Sequence, residues 1–127
     1  MQRPQVRTSR SVYDYFYPIM TDLQVEECHV LFLNQSSRVI DSMRISQGGL
    51  SSASVDIRLI LREAFMRRAT GLTLCHNHPS GTALPSRQDD ELTRSVAQAC
   101  RTVNVPLLDH VIFTENGYYS YADKGRL

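Results

Sequence analysis

GLTLCHNHPSGTALPSRQD, residues 71–89, decides how the chain is read. Gly71 to Cys75 is a short apolar run with strand character, and it leads straight into the polar loop His76-Asn77-His78-Pro79-Ser80-Gly81. A strand that ends in such a loop sets side chains at the carboxyl edge of a sheet, a common place for sites in α/β folds. Ser86 then precedes a helical pattern from about Arg87 to Thr102, whose acidic first turn, Asp89, Asp90 and Glu91, suits the positive end of the helix dipole.

Working outward, Asp56 caps a helix whose apolar positions Ile57, Ile60, Leu61, Ala64 and Phe65 make one stripe. Glu26–Asn34 and Arg38–Ile45 are β-rich runs around the polar link Asn34-Gln35-Ser36-Ser37. Val105–Thr114 and Tyr118–Tyr121 form a second hairpin with Asn116-Gly117 as the turn signal. Near the start, Val12, Tyr15, Phe16, Ile19, Met20 and Leu23 step at three and four residues, a short helix that Pro18 must bend or break. These elements predict an α/β domain with a mixed, curved sheet flanked by helices. Residues 1–10 carry three Arg, one Pro and little apolar surface, the composition of a flexible end, which leaves 11–127 as the single domain.

At 127 residues and 42% apolar, the chain has enough for one core and too little for two. A formal charge of +1 excludes an acidic tail or a strongly basic nucleic-acid surface, although 13 of the 14 basic residues are Arg. Cys28, Cys75 and Cys100 form no CxxC pair, which reads as reduced intracellular thiols. No stretch approaches the length of a membrane span and MQRPQVRTSR lacks the apolar core of a signal peptide, so a cytoplasmic location is expected.

The chemistry concentrates in the opening stretch. Side chains at i and i+2 of an extended segment point the same way, so His76 and His78 can converge on one ion. Asp89, in the first turn of the next helix, can fold back as a third ligand. Two imidazoles and one carboxylate, with a fourth position left for water, are a catalytic zinc arrangement suited to acyl hydrolysis. Ser86-Arg87-Gln88-Asp89 is equally a capping box that needs no metal. Spacing alone leaves the two readings level. Cys75 is one residue out of phase with the histidines and reads as a buried strand cysteine.

His76-x-His78-x7-Ser86-x2-Asp89 is similar to the HxH, seven-residue, SxxD pattern of the JAMM (MPN-plus) metalloproteases. The longer string HNHPSG, followed by PS, D and T, resembles the RadC branch of that superfamily. EECHVLFLN, GGLSSASVDIRLILREAF and VPLLDHVIFTENGYYSY resemble RadC segments in the same order, from about Ser11 to the C-terminus. The resemblance implies a three-layer JAMM/MPN-like, cytidine-deaminase-like fold, with Zn2+ held by His76, His78 and Asp89. It implies a general acid/base glutamate on an early strand, matched by Glu26. Glu27 sits on the opposite face. Ser86 is implied to steady the oxyanion while a peptide or isopeptide bond of an unidentified substrate is cleaved. RadC proteins usually carry a helix-hairpin-helix region before this domain, so an isolated C-terminal domain or a short homologue is expected here.

A DNA-repair factor or nuclease is suggested by the family's name and by Arg58, Arg62, Arg67 and Arg68, but a net charge of +1 gives little phosphate affinity. A helix face with a Glu63–Arg67 pair explains those arginines equally well. A non-catalytic MPN binding module loses ground because every motif position is filled. A nucleobase deaminase lacks its PCxxC ligand pair.

Overall fold

The computed structural model describes residues 2–127. Helix α1 (Ser9–Met20) is followed by strands β1 (Glu27–Leu33) and β2 (Val39–Gln47), a 3-10 turn (Ser52–Ser54) and α2 (Ile57–Met66). Then come β3 (Gly71–Asn77), α3 (Arg87–Thr102), β4 (Leu107–Thr114) and β5 (Gly117–Ser120). The five strands make one open sheet in the order β2-β1-β3-β4-β5, in which only β3 and β4 run parallel. Parallel neighbours need a crossover, and α3 provides it.

β3 is central and buried along its whole length, so alternation sends its residues into two different cores. Leu72 and Leu74 pack with Cys28, Val30 and Phe32 of β1, Ile60 and Ala64 of α2, and Leu92, Val96 and Cys100 of α3. Cys75 packs on the other face with Leu31, Leu33, Val111 and Phe113 beneath Val12, Tyr13, Phe16 and Met20 of α1. The result is three layers: α1, the sheet, and α2 with α3. Among the described residues no helix is long and apolar enough to cross a membrane.

Several local expectations are corrected. α1 begins at Ser9, where Thr8 caps it in a capping box with Ser11, and it runs through Pro18 before ending two residues later. Proline removes one backbone donor, and so close to the helix end that loss is tolerated. Part of the segment read as flexible packs on the sheet: Val6 is buried, its N–H bonds Ser37 O at 2.8 Å, and Gln5 bridges Arg38. Met1 lies outside the described residues. Phe65 is 53% exposed, beyond the buried stripe of α2. The second hairpin turns at Glu115-Asn116, because Gly117 already pairs with Thr114.

Asp109 is buried and ties β4 to the chain after β5. It accepts hydrogen bonds from Ser120 Oγ at 2.6 Å, the His110 N–H at 2.7 Å and the Ala122 N–H at 3.0 Å. Burial pushes its carboxyl pKa up against the pull of these donors. Asp109→Ala strands all three, so a loss of about 3 kcal/mol in urea unfolding is expected.

Candidate metal centre

The register of β1 against β3 pairs Cys28 with His76. Residues of even number on both strands therefore share the face beneath α2 and α3. His76, the last even residue inside β3, and His78, just past its end, fall on this face, as does Glu26 just before β1. The N-terminus of α3 closes over them and delivers Asp89.

His76 is almost fully buried, with 1% of its side chain exposed. Its Nδ1 lies 3.4 Å from Asp89 Oδ1 and its Nε2 lies 3.9 Å from Glu26 Oε2, yet neither nitrogen makes a hydrogen bond. The His78 ring stands edge-on to it, centroids 4.7 Å apart. His78 Nδ1 is 2.6 Å from the Thr82 carbonyl, which can only accept, so Nδ1 carries the proton. Nε2 is thereby aimed at Asp89 Oδ2, 3.1 Å away. A neutral His78 would set a lone pair against a carboxylate oxygen at that distance, so a cation belongs between them: a proton or a metal ion.

Among the described residues, ligand atoms of Glu26, His76 and His78 all lie within 4.8 Å of one another. This set holds Glu26 where the sequence led to Asp89, but Asp89 touches both imidazoles from the opposite side. Two carboxylates thus flank the pair. The donor set, nitrogen and carboxylate oxygen, fits a zinc-like ion. So does His76, since a buried imidazole with an unpartnered N–H and lone pair costs about 1–3 kcal/mol that coordination relieves.

The electrostatics agree. Burial brings the His76 pKa down to about 4, leaving a neutral ring with a lone pair to give. Burial alone would raise the pKa of Asp89; the His78 hydrogen bond, the Ser86 N–H and the positive potential of the histidines outweigh it and bring it to about 2. The Asp89 bond raises His78.

The capping box read from Ser86-x2-Asp89 is present. Ser86 Oγ accepts the Asp89 N–H at 3.0 Å and Asp89 Oδ2 accepts the Ser86 N–H at 2.8 Å, a complete capping box. The box fixes the carboxylate that faces the histidines. Because Ser86 Oγ acts as acceptor in it, its hydroxyl proton is left to donate into the cleft. That cleft, about 430 Å3, is bordered by Glu26, Gly49, Leu50, Thr82, Leu84 and Ser86.

Glu27 points to the α1 face, where it meets His29 at 2.8 Å. Cys75 also lies on that face, and Cys28, although beside His76, is fully buried with its thiol pKa raised by desolvation. Three residues lie behind the site: Thr93, His110 and Asn77. Thr93, one turn after Asp89, donates to Asp89 O at 2.7 Å and so must accept from His110 Nδ1 at 2.6 Å. His110, held at a pKa of about 3 by burial, stacks on Tyr121 with centroids 5.0 Å apart. Asn77 is the third. The sequence places it in the loop after Cys75, whereas β3 continues through Asn77. The arginines of α2 are largely paired: Arg67 with Asp41 and Glu63, Arg62 with Glu63, and Arg58 with Asp56.

A family profile described as "RadC-like JAB domain" matches residues 6–126. Proteins named "UPF0758 protein" are similar to this chain. One from Porphyromonas gingivalis is 43% identical over 127 residues, covering 99% of this chain and 56% of its own. One from Flavobacterium johnsoniae is 41% identical over 121 residues, covering 95% and 53%. A third, from Salinibacter ruber, is 36% identical over 124 residues, covering 98% and 53%. The chain spans about half the length of the curated relatives it matches.

Proposed function

From the premise that this chain belongs to the RadC-like JAB domain family, we propose that it is a zinc-dependent hydrolase of peptide or isopeptide bonds. His76, His78 and Asp89 hold the ion, Glu26 carries protons and Ser86 stabilises the oxyanion. The observation that carries the reading is His76: buried, neutral, with both ring nitrogens unpartnered and two carboxylates and a second imidazole around it. When bound, zinc polarises the scissile carbonyl and activates a water near neutral pH.

The remaining work falls to the chain's own groups. Glu26 is 35% exposed at the cleft side of His76, so its carboxylate reaches both solvent and a substrate. It takes a proton at one Oε and returns it to the leaving amine. The Ser86 hydroxyl donates to the carbonyl oxygen as negative charge develops there. Thr82 O locks the His78 ring, and the capping box locks Asp89, so the ligands are oriented before anything binds. Leu50 and Leu84 give the cleft an apolar rim; Leu84 is 69% exposed and offers a surface for an apolar substrate side chain. Pairing of Arg58, Arg62 and Arg67 with carboxylates weighs against nucleic acid on that helix.

Metal analysis of the purified protein tests this reading. One zinc per chain is expected, with at least tenfold less in His76→Ala/His78→Ala, because removing two of three ligands leaves no chelate. Equal, negligible metal in both proteins after incubation with zinc would sink it.

A further inference from the structure

β1 begins at Glu27, so Glu26 lies one residue outside the ladder and receives no strand pairing of its own from β3. Asn77, the last residue of β3 and 3% exposed, takes over. Its Nδ2 donates to Val25 O at 3.0 Å and its Oδ1 accepts the Glu27 N–H at 2.7 Å. The two bonds seize the peptide groups on either side of Glu26. One amide supplies the donor and the acceptor together, and the partners fix which end is which. From the opposite side the Gly48 N–H donates to Glu26 O at 2.8 Å. The backbone of Glu26 is thus held on both edges while its side chain stays free at the cleft.

We infer that Asn77 is a positioning residue for Glu26: its side-chain amide replaces the missing rungs of the sheet and sets the carboxylate at the metal centre. The inference rests on the reading of Glu26 as the proton carrier and adds a residue that touches neither ion nor substrate. Asn77 sits between the two histidines in sequence but faces the α1 side of the sheet, one strand position out of phase with them. A ligand role is therefore excluded for it. Its effect is transmitted through the backbone at Val25 and Glu27. Displacements of about 1 Å in a catalytic group can cost on the order of 100-fold in rate, which gives the clamp its functional weight.

The full chain loaded with Co2+ tests this. Visible absorption of the wild type, Glu26→Gln and Asn77→Ala is compared at neutral pH, with bound cobalt measured in each. Asn77→Ala is expected to keep one Co2+ per chain while its spectrum leaves that of the wild type and approaches that of Glu26→Gln. A merely structural role in β3 would change stability without reproducing that signature. A wild-type spectrum in Asn77→Ala beside a shifted Glu26→Gln overturns the inference and leaves the metal centre standing. Failure of the wild type to bind Co2+ overturns the metal reading and the inference with it. Should Asn77→Ala not fold, amide exchange in the wild type decides. The Glu27 N–H is expected to exchange at least about 100-fold more slowly than an unprotected amide, and unprotected exchange overturns the clamp.

Discussion

Glu26→Gln is expected to lower peptide or isopeptide hydrolysis by about 10²- to 10⁴-fold while leaving zinc content unchanged. Glutamine keeps the volume and one oxygen of the side chain but has no basic site to take a proton. The substitution is at a partly exposed position, 35% open to solvent, so folding is not at issue. Glu27→Gln is the internal control. Its carboxylate lies on the opposite face against His29, and a change of less than about threefold is expected, as for a residue remote from the reacting atoms. Steady-state rates on a fluorogenic peptide or an isopeptide-linked conjugate, paired with metal analysis, separate loss of proton transfer from loss of the ion. A large loss in Glu27→Gln and none in Glu26→Gln would reverse the assignment of faces on which the mechanism depends.

The period of a strand tells from sequence only that Glu26 and Glu27 face opposite ways, and the family resemblance singled out Glu26; the packing of β1 agrees with that choice. Cys28, Val30 and Phe32 share the α2–α3 core, so Glu26 must face that way and Glu27 away. The pairing of His76 with His78 and the capping box of Ser86 with Asp89 were legible for the same reason, since each depends on residues two or three positions apart. Features built from distant segments were not. Asn77 reaches Glu27 and Val25 across 50 and 52 residues, and only the register of β1 on β3 brings them together. Val6 is covered because residues 4–6 meet the start of β2, which the Arg-rich composition of that segment concealed.

The bias toward arginine acquires a partial explanation in the same way. Arg67 lies over the Phe32 ring at 4.7 Å while pairing with Asp41 and Glu63, and Arg126 joins Asp90 to Tyr119. A planar fork serves such stacked and multiply bonded positions, and a lysine ammonium does not. Nothing in the one-dimensional pattern tells which arginines are used so.

Lowering the pH from 6.5 to 4.5 is expected to cost the metal-free protein on the order of 4 kcal/mol of stability, read by urea unfolding. Two buried histidines set the sign. Burial brings His76 to about 4 and His110 to about 3, against an ordinary value of 6.5. Between those limits the unfolded chain binds protons that the folded chain refuses, so stability rises with pH through this window and falls as the solution is acidified. Each histidine contributes up to about 1.4 kcal/mol per pH unit. His78 runs the other way: its bond to Asp89 raises it, so its stabilisation is present below 6.5 and is lost as pH rises through the folded value, offsetting part of the fall. Asp89 is ionised throughout, because its depressed value of about 2 places its own loss below this range. His110→Phe preserves a ring against Tyr121 and removes one of the two titrating groups, so its stability should fall with acid about half as steeply. Saturating zinc adds a term that selects the neutral imidazoles and should steepen the acid loss of the wild type further, since protons and metal compete for His76 and His78. Stability independent of pH between 6.5 and 4.5 in the metal-free protein would mean that His76 and His110 are not held neutral by burial, and the geometry behind the candidate site would fall with that result.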